Sequence, residues 1–111
     1  MAARRREGRW SDTAAEDLWS IVEFIARDRP QAALGILDEA RRQAQKLTSL
    51  ADRGRIVPEL ERHGIRDYRE LIYSVWRIIY RVTPEAVHVV SMIDSRRNVE
   101  DVLLRRLTRG P

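Results

Sequence analysis

The chain has 111 residues, 43% of them apolar and 34% charged, with 21 basic against 17 acidic side chains, two histidines and no cysteine. That length is about one domain and suffices for a hydrophobic core. No apolar run approaches the ~20 residues that cross a bilayer, and the lack of thiols excludes disulfides, cysteine-ligated zinc and thiol redox chemistry, which fits a reducing cytoplasm.

Residues 1–8, MAARRREG, are basic and lack a following apolar segment with a cleavage site, so they predict a flexible tail rather than a secretion signal. A single domain is expected over residues 9–111. Arg9 and Trp10 are placed for a short strand. In DTAAEDLWSIVEFIARD, Thr13 and Glu16 form a capping-box pattern that starts a helix, and Ala14, Leu18, Ile21, Val22 and Ile25 make its buried stripe, widened by Trp19 and Phe24. Pro30 then opens a second helix, from about Pro30 to Leu50, with Ala33, Ile36, Leu37, Ala40, Ala44 and Leu47 inward. Gly35 in its interior is expected where the neighbouring helix comes close. The run ADRGRIVPELERHGIRD has neither helical nor strand period and reads as a long connection.

YRELIY, VWRIIYRV and AVHVVSMID follow as three antiparallel strands, with Thr83–Glu85 as the second turn. A turn tip at Tyr73–Ser74 sets Leu71 against Trp76 and Glu70 against Arg77. Leu71, Trp76, Ile78, Tyr80 and Val82 then face the helices, while Arg77, Ile79 and Arg81 face outward. With Val82 opposite Ala86, His88, Val90 and Met92 join the packed face and Val87, Val89 and Ser91 the outer one. An outer face that mixes Ile79, Val87 and Val89 with arginines awaits a partner or the last helix. That helix, NVEDVLLRRL, has Asn98 as its cap. The fold class is therefore α+β: a small twisted antiparallel sheet, a three-stranded meander plus a short N-terminal strand, packed on an N-terminal helical hairpin with a short C-terminal helix.

Twenty-one basic residues include a single lysine, Lys46. Arginine suits bidentate contact with phosphate or carboxylate, but its dominance across the whole chain is read first as a GC-rich coding bias. Charge thus permits nucleic acid or an acidic protein segment as partner and does not choose. Glu70–Arg77 as a cross-strand pair would be purely structural, and His88 on the packed face reads as a core residue rather than a base. No metal-ligand spacing, phosphate loop or nucleophile motif is present, so no cofactor or metal is expected.

GRIVPEL at 54–60, YREL at 68–71, WRIIYRV at 76–82 and DSRRN at 94–98, in this order with the IARDRPQAA turn between two helices, resemble the RelE/ParE superfamily of toxins from type II toxin-antitoxin modules. The resemblance implies a cytoplasmic toxin held in a hetero-oligomer by a cognate antitoxin, ParD-like or RelB-like. Its two branches imply different targets. RelE-like members cut messenger RNA on the ribosome with basic sheet residues and a C-terminal tyrosine or histidine. ParE-like members poison DNA gyrase without such a constellation. Cleavage through the 2′-hydroxyl needs a base, a cation and an acid. Arg77, Arg81, Arg96 and Arg97 offer cations, but no tyrosine follows Tyr80 and no histidine follows His88, so gyrase binding without catalysis is the favoured expectation. The alternatives are a RelE-like endoribonuclease, with those four arginines as its catalytic set, and an attenuated toxin that only binds antitoxin and regulates its operon. Partner contacts are expected at Arg77, Ile79, Arg81, Val87, Val89, Arg96 and Arg97.

Overall fold

The computed structural model describes residues 5–109. Its elements are β1 (Glu7–Trp10), α1 (Asp12–Ala26), α2 (Pro30–Lys46), β2 (Arg55–Ile56), α3 (Pro58–Glu61), β3 (Tyr68–Tyr73), β4 (Trp76–Val82), β5 (Ala86–Asp94) and α4 (Val99–Thr108). The five strands lie in the order β1-β5-β4-β3-β2. The α+β class and the meander are as expected; the sheet is mixed, however, because β1 runs parallel to β5, and the long connection contributes β2, antiparallel to β3. The boundary expected after Gly8 falls inside β1, where Gly8 pairs with Val87. Residues 1–4 of the expected tail lie outside the described residues.

The helical hairpin packs on one face of the sheet. Ala14, Leu18 and Val22 of α1 and Ala33, Ala40 and Ala44 of α2 meet Trp76, Ile78, Val89 and Met92. At the end of α2, Leu47 and Ala51 enclose Tyr80 and Val87. Trp19 and Phe24 do not widen the stripe: they are 58% and 70% exposed, as is Leu34 on α2 at 53%. The cap of α1 is Ser11, whose Oγ accepts from the Ala14 amide at 3.0 Å, rather than Thr13. Ser11 wins because its amide is already bound to Val89 of the sheet, which leaves it extended at the strand–helix junction. Asn98 caps α4 by accepting from the Asp101 amide at 3.1 Å.

Gly35 marks no close approach, since an added Cβ would meet nothing within 4 Å. Gly35→Ala is therefore expected to raise stability by about 0.5–1 kcal/mol through helix propensity alone, measurable as a higher urea midpoint with unchanged slope.

The register departs from expectation at two places, with opposite consequences. The β3–β4 turn tip is Ser74–Val75, so Tyr73 pairs with Trp76 and Glu70 with Ile79; Ser74 supplies the positive φ (55°) that a tight hairpin needs. This is a two-residue slip from the expected register and leaves every side chain on its expected face. In β5, by contrast, Val82 pairs with Val87, Arg81 with His88 and Tyr80 with Val89, and an irregularity at Val90 precedes the Ile79–Ser91 pair. The half of β5 before Val90 is thus one residue out of the expected register, which exchanges its faces. Val87 and Val89 turn to the hairpin, and His88 turns outward.

The outer face is closed by α3 and α4. Ile79 and Ile93 pack under Val57, Leu60, Val99, Val102 and Leu103. Beyond Val90 the amide of Met92 is met by Asp17 Oδ2 at 2.9 Å. Asp17 also accepts two bonds from Arg106, whose Nη1 reaches Ser91 Oγ at 2.8 Å. One carboxylate of α1 thereby joins the strand edge to the last helix.

Candidate functional site: a cationic row in a groove of the outer face

The seven residues expected at the partner surface separate into three groups. Ile79, Val87 and Val89 are at most 1% exposed: the first lies under α4, the other two under the hairpin, and none offers surface to a partner. The physical reasons are the packing of α4 on the sheet and the change of phase at Val90.

Arg77 is also withdrawn, at 7% exposure. Its Nη1 and Nη2 donate to the two oxygens of Glu59 at 2.6 Å each, and its Nε donates to Glu70 Oε1 at 2.6 Å. Glu70 accepts a further bond from Arg55 Nε at 2.7 Å. The expected link between Glu70 and Arg77 therefore exists, on the diagonal rather than directly across the strands. These bonds hold the guanidinium charged and keep the Glu59 carboxyl below its ordinary range. The cluster fastens α3 and β2 to the sheet. Arg69 donates to the Gly54 carbonyl at 2.8 Å and braces the same segment.

Arg96 and Arg97 lie exposed in the turn before α4. Arg96 chelates Asp94, with its Nε and amide on Oδ1 at 2.9 Å and its Nη2 on Oδ2 at 2.5 Å, and the pairing holds Asp94 at a pKa of about 2. Since Asp94 pairs with Trp76 while His88 pairs with Arg81, five residues of β4 separate this turn from Arg81, roughly 17 Å at ~3.4 Å per residue. The four candidate arginines therefore do not converge.

Arg81 stands apart. It makes no ion pair among the described residues and sits in the middle of a row that crosses four strands: Tyr68 on β3, Arg81 on β4, His88 on β5 and Arg9 on β1. Directly paired residues share a face, so all four side chains rise on the outer side. They line a groove of about 820 Å3, which Leu60, Leu103 and Leu107 give an apolar flank. Burial and the neighbouring Arg81 and Arg9 push His88 below its ordinary value, so it is neutral at pH 7; its Nε2 lies 3.2 Å from Thr83 Oγ1. The other histidine, His63, bonds Glu100 across 2.7 Å and ties the segment after α3 to α4.

Tyr68 and His88 are the proton-bearing residues that the sequence did not place beside a cation. For His88 the signal was present in AVHVVSMID, where Val89-Val90 breaks the alternation and marks the bulge; Tyr68 is set opposite Arg81 by the Ser74–Val75 turn tip. No group of three or more His, Asp or Glu among the described residues is placed to hold a metal, and no described helix is long and apolar enough to cross a membrane.

Residues 9–99 match the model of the ParE toxin of the type II toxin-antitoxin system parDE. The chain belongs to this ParE toxin family. No curated protein matches the chain. Among solved structures it is similar to a chain of the chromosomal ParDE TA system from P. aeruginosa, with a TM-score of 0.69 and 18% identity over 83% of this chain and 98% of that one. At that identity the likeness is one of fold. In this ParE-family chain, burial of Arg77 and Ile79 leaves the half-buried Arg81 as the central cation of the outer face.

Proposed function

We propose that this ParE-family chain is a cytoplasmic toxin that arrests growth by binding DNA gyrase, and that a ParD-like antitoxin neutralises it in a hetero-oligomer. The observation that carries the gyrase reading is the dispersal of the arginines. Arg77 is consumed by two carboxylates, Arg96 by Asp94, and Arg97 lies at the far end of the sheet, which supports binding over phosphodiester cleavage. Antitoxin capture is supported by the hairpin, where Trp19, Phe24 and Leu34 present large apolar side chains to solvent and Arg27 lies 6.0 Å from the Phe24 ring centroid. An apolar surface edged by cations suits an amphipathic acidic segment.

A second reading, a RelE-like messenger endoribonuclease, is favoured by one observation: Tyr68 and His88 flank Arg81 on one face. Adding the purified chain to gyrase separates the two. The expected result is loss of supercoiling with accumulation of cleaved DNA, and intact messenger on translating ribosomes; messenger cut on the ribosome with gyrase untouched would establish the second reading instead. Phe24→Ser is expected to leave the circular dichroism spectrum unchanged and to weaken co-purification with the product of the adjacent gene by about tenfold or more, the scale of one lost aromatic anchor.

A further inference from the structure

The Tyr68–Arg81–His88–Arg9 row has a geometry that gyrase binding does not require. Three of its members carry nitrogen donors on adjacent strands, so their Cα atoms stand ~5 Å apart along a line about 10 Å long. His88 is in the centre with an arginine on either side. The donors gather at one place in the groove instead of following its length, because Arg106, which also lines it, is spent on Asp17 and Ser91. A concentrated donor set suits one compact anion better than an extended acidic peptide.

Beside the donors, Tyr68 presents an aromatic ring next to Leu60, Leu103 and Leu107, and Asp67 adds an acceptor. A cationic cup adjoining an aromatic and apolar flank with one carboxylate matches a phosphate joined to a sugar and a base. The phosphate takes the nitrogen donors, the base stacks on the ring, and the carboxylate accepts from a hydroxyl or an exocyclic amine. Three donors match the three terminal oxygens of a phosphate monoester; a diester offers two unesterified oxygens.

We infer that this row is a binding site for the terminal phosphate of a nucleotide, with Arg81 and Arg9 as fixed cations, His88 as the donor between them and Tyr68 as the platform for the base. Arg9 reaches the ligand by exchanging its exposed pairing with Glu7. The groups that face His88 are Arg9 and Glu7 of β1, Arg81 of β4, and Thr83 and Glu85 of the β4–β5 turn. A bound dianion outweighs the two carboxylates and raises the affinity of His88 for a proton, so binding draws a proton onto the ring. The contribution of His88 therefore grows as pH falls from 8 toward 6.

Titration of the purified full chain with adenosine 5′-monophosphate, adenosine and a 5′-phosphorylated single-stranded tetranucleotide, followed by fluorescence and calorimetry, tests the inference without gyrase. The monophosphate is expected to bind and adenosine to bind at least tenfold more weakly. Arg81→Gln is expected to cost about tenfold or more, the scale of a lost charge-assisted hydrogen bond, while Arg97→Gln changes nothing. The ratio of wild-type to His88→Gln affinity is expected to widen as pH falls, a comparison that cancels the ligand's own ionisation. The tetranucleotide arm assigns the source: equal affinity with the same Arg81 dependence makes the natural ligand a strand end, and weaker binding makes it a free nucleotide. Adenosine binding as tightly as its monophosphate, or Arg97→Gln weakening binding as much as Arg81→Gln, would overturn the site. A gyrase-inactive chain that still binds the monophosphate would refute only the target, and a gyrase poison that ignores it would refute only the row.

Discussion

Arg77→Ala is expected to destabilise the protein by about 3–5 kcal/mol, the scale for removing one partner of a buried ion pair. Domains of this size are stable by only ~5–15 kcal/mol, so the variant should approach the threshold of folding. The loss would not come mainly from the bonds themselves. It would come from Glu70, whose side chain is fully buried and would keep only the solvent-exposed Arg55, and from Glu59, which would lose both of its bonds. Urea denaturation at pH 7 measures the cost, and retention of wild-type stability would show the cluster to be dispensable.

The pH dependence has a definite sign. Arg77 keeps the Glu59 carboxyl below its ordinary value of 4.5. Its contribution is therefore fully present above pH 4.5 and disappears as pH falls through the lower value of the folded state. The gap between wild type and Arg77→Ala should accordingly be widest near neutrality and narrow below pH 4.5. Replacing Arg77 and Glu70 together by methionine and leucine should recover part of the loss, because no buried carboxylate is then left against the sheet.

Gly54→Ala is expected to be the second costly change, about 3 kcal/mol or more, at or beyond the upper end for overpacking. A Cβ at this position would lie 2.5 Å from the Glu70 carbonyl oxygen and 2.6 Å from the Tyr80 hydroxyl. Neither can withdraw. The Glu70 oxygen belongs to strand backbone, and the buried Tyr80 hydroxyl donates to Ala51 O and accepts from Gly54 N, both at 2.8 Å. The Gly54 carbonyl is held in turn by Arg69. A falling thermal midpoint together with loss of the tyrosine hydrogen bonds would be seen by calorimetry and NMR. An unchanged midpoint would mean that the connection can move away from the sheet.

The same two clusters explain how far sequence alone could reach. Helices α1, α2 and α4 were legible because their apolar spacing and the cap at Asn98 are local properties. So was the face assignment of β3 and β4, since a slip of two residues conserves it. What escaped was set by contacts distant in sequence. Glu59 and Arg77, 18 positions apart, decide whether an arginine is a ligand or a brace. In β2 only two residues pair, too short a run for any period. The outward turn of His88 depends on one unpaired residue, Val90, whereas Tyr68 comes opposite Arg81 through the two-residue slip of the β3–β4 hairpin. Trp19 and Phe24 failed for a different reason: large apolar residues on a short hairpin read as core unless the width of the sheet beneath them is known.

The bulge at Val90 has a bearing on how this strand can change over generations. On one side of it, Val87 and Val89 answer to the hairpin while His88 answers to the groove; on the other, Met92 and Ile93 answer to two separate cores. Each half keeps its own alternation, so drift in the groove-facing positions need not be matched by compensating changes past Val90. A nine-residue strand thus carries two alternations, and before Val90 only His88 faces the groove while Val87 and Val89 beside it hold the core.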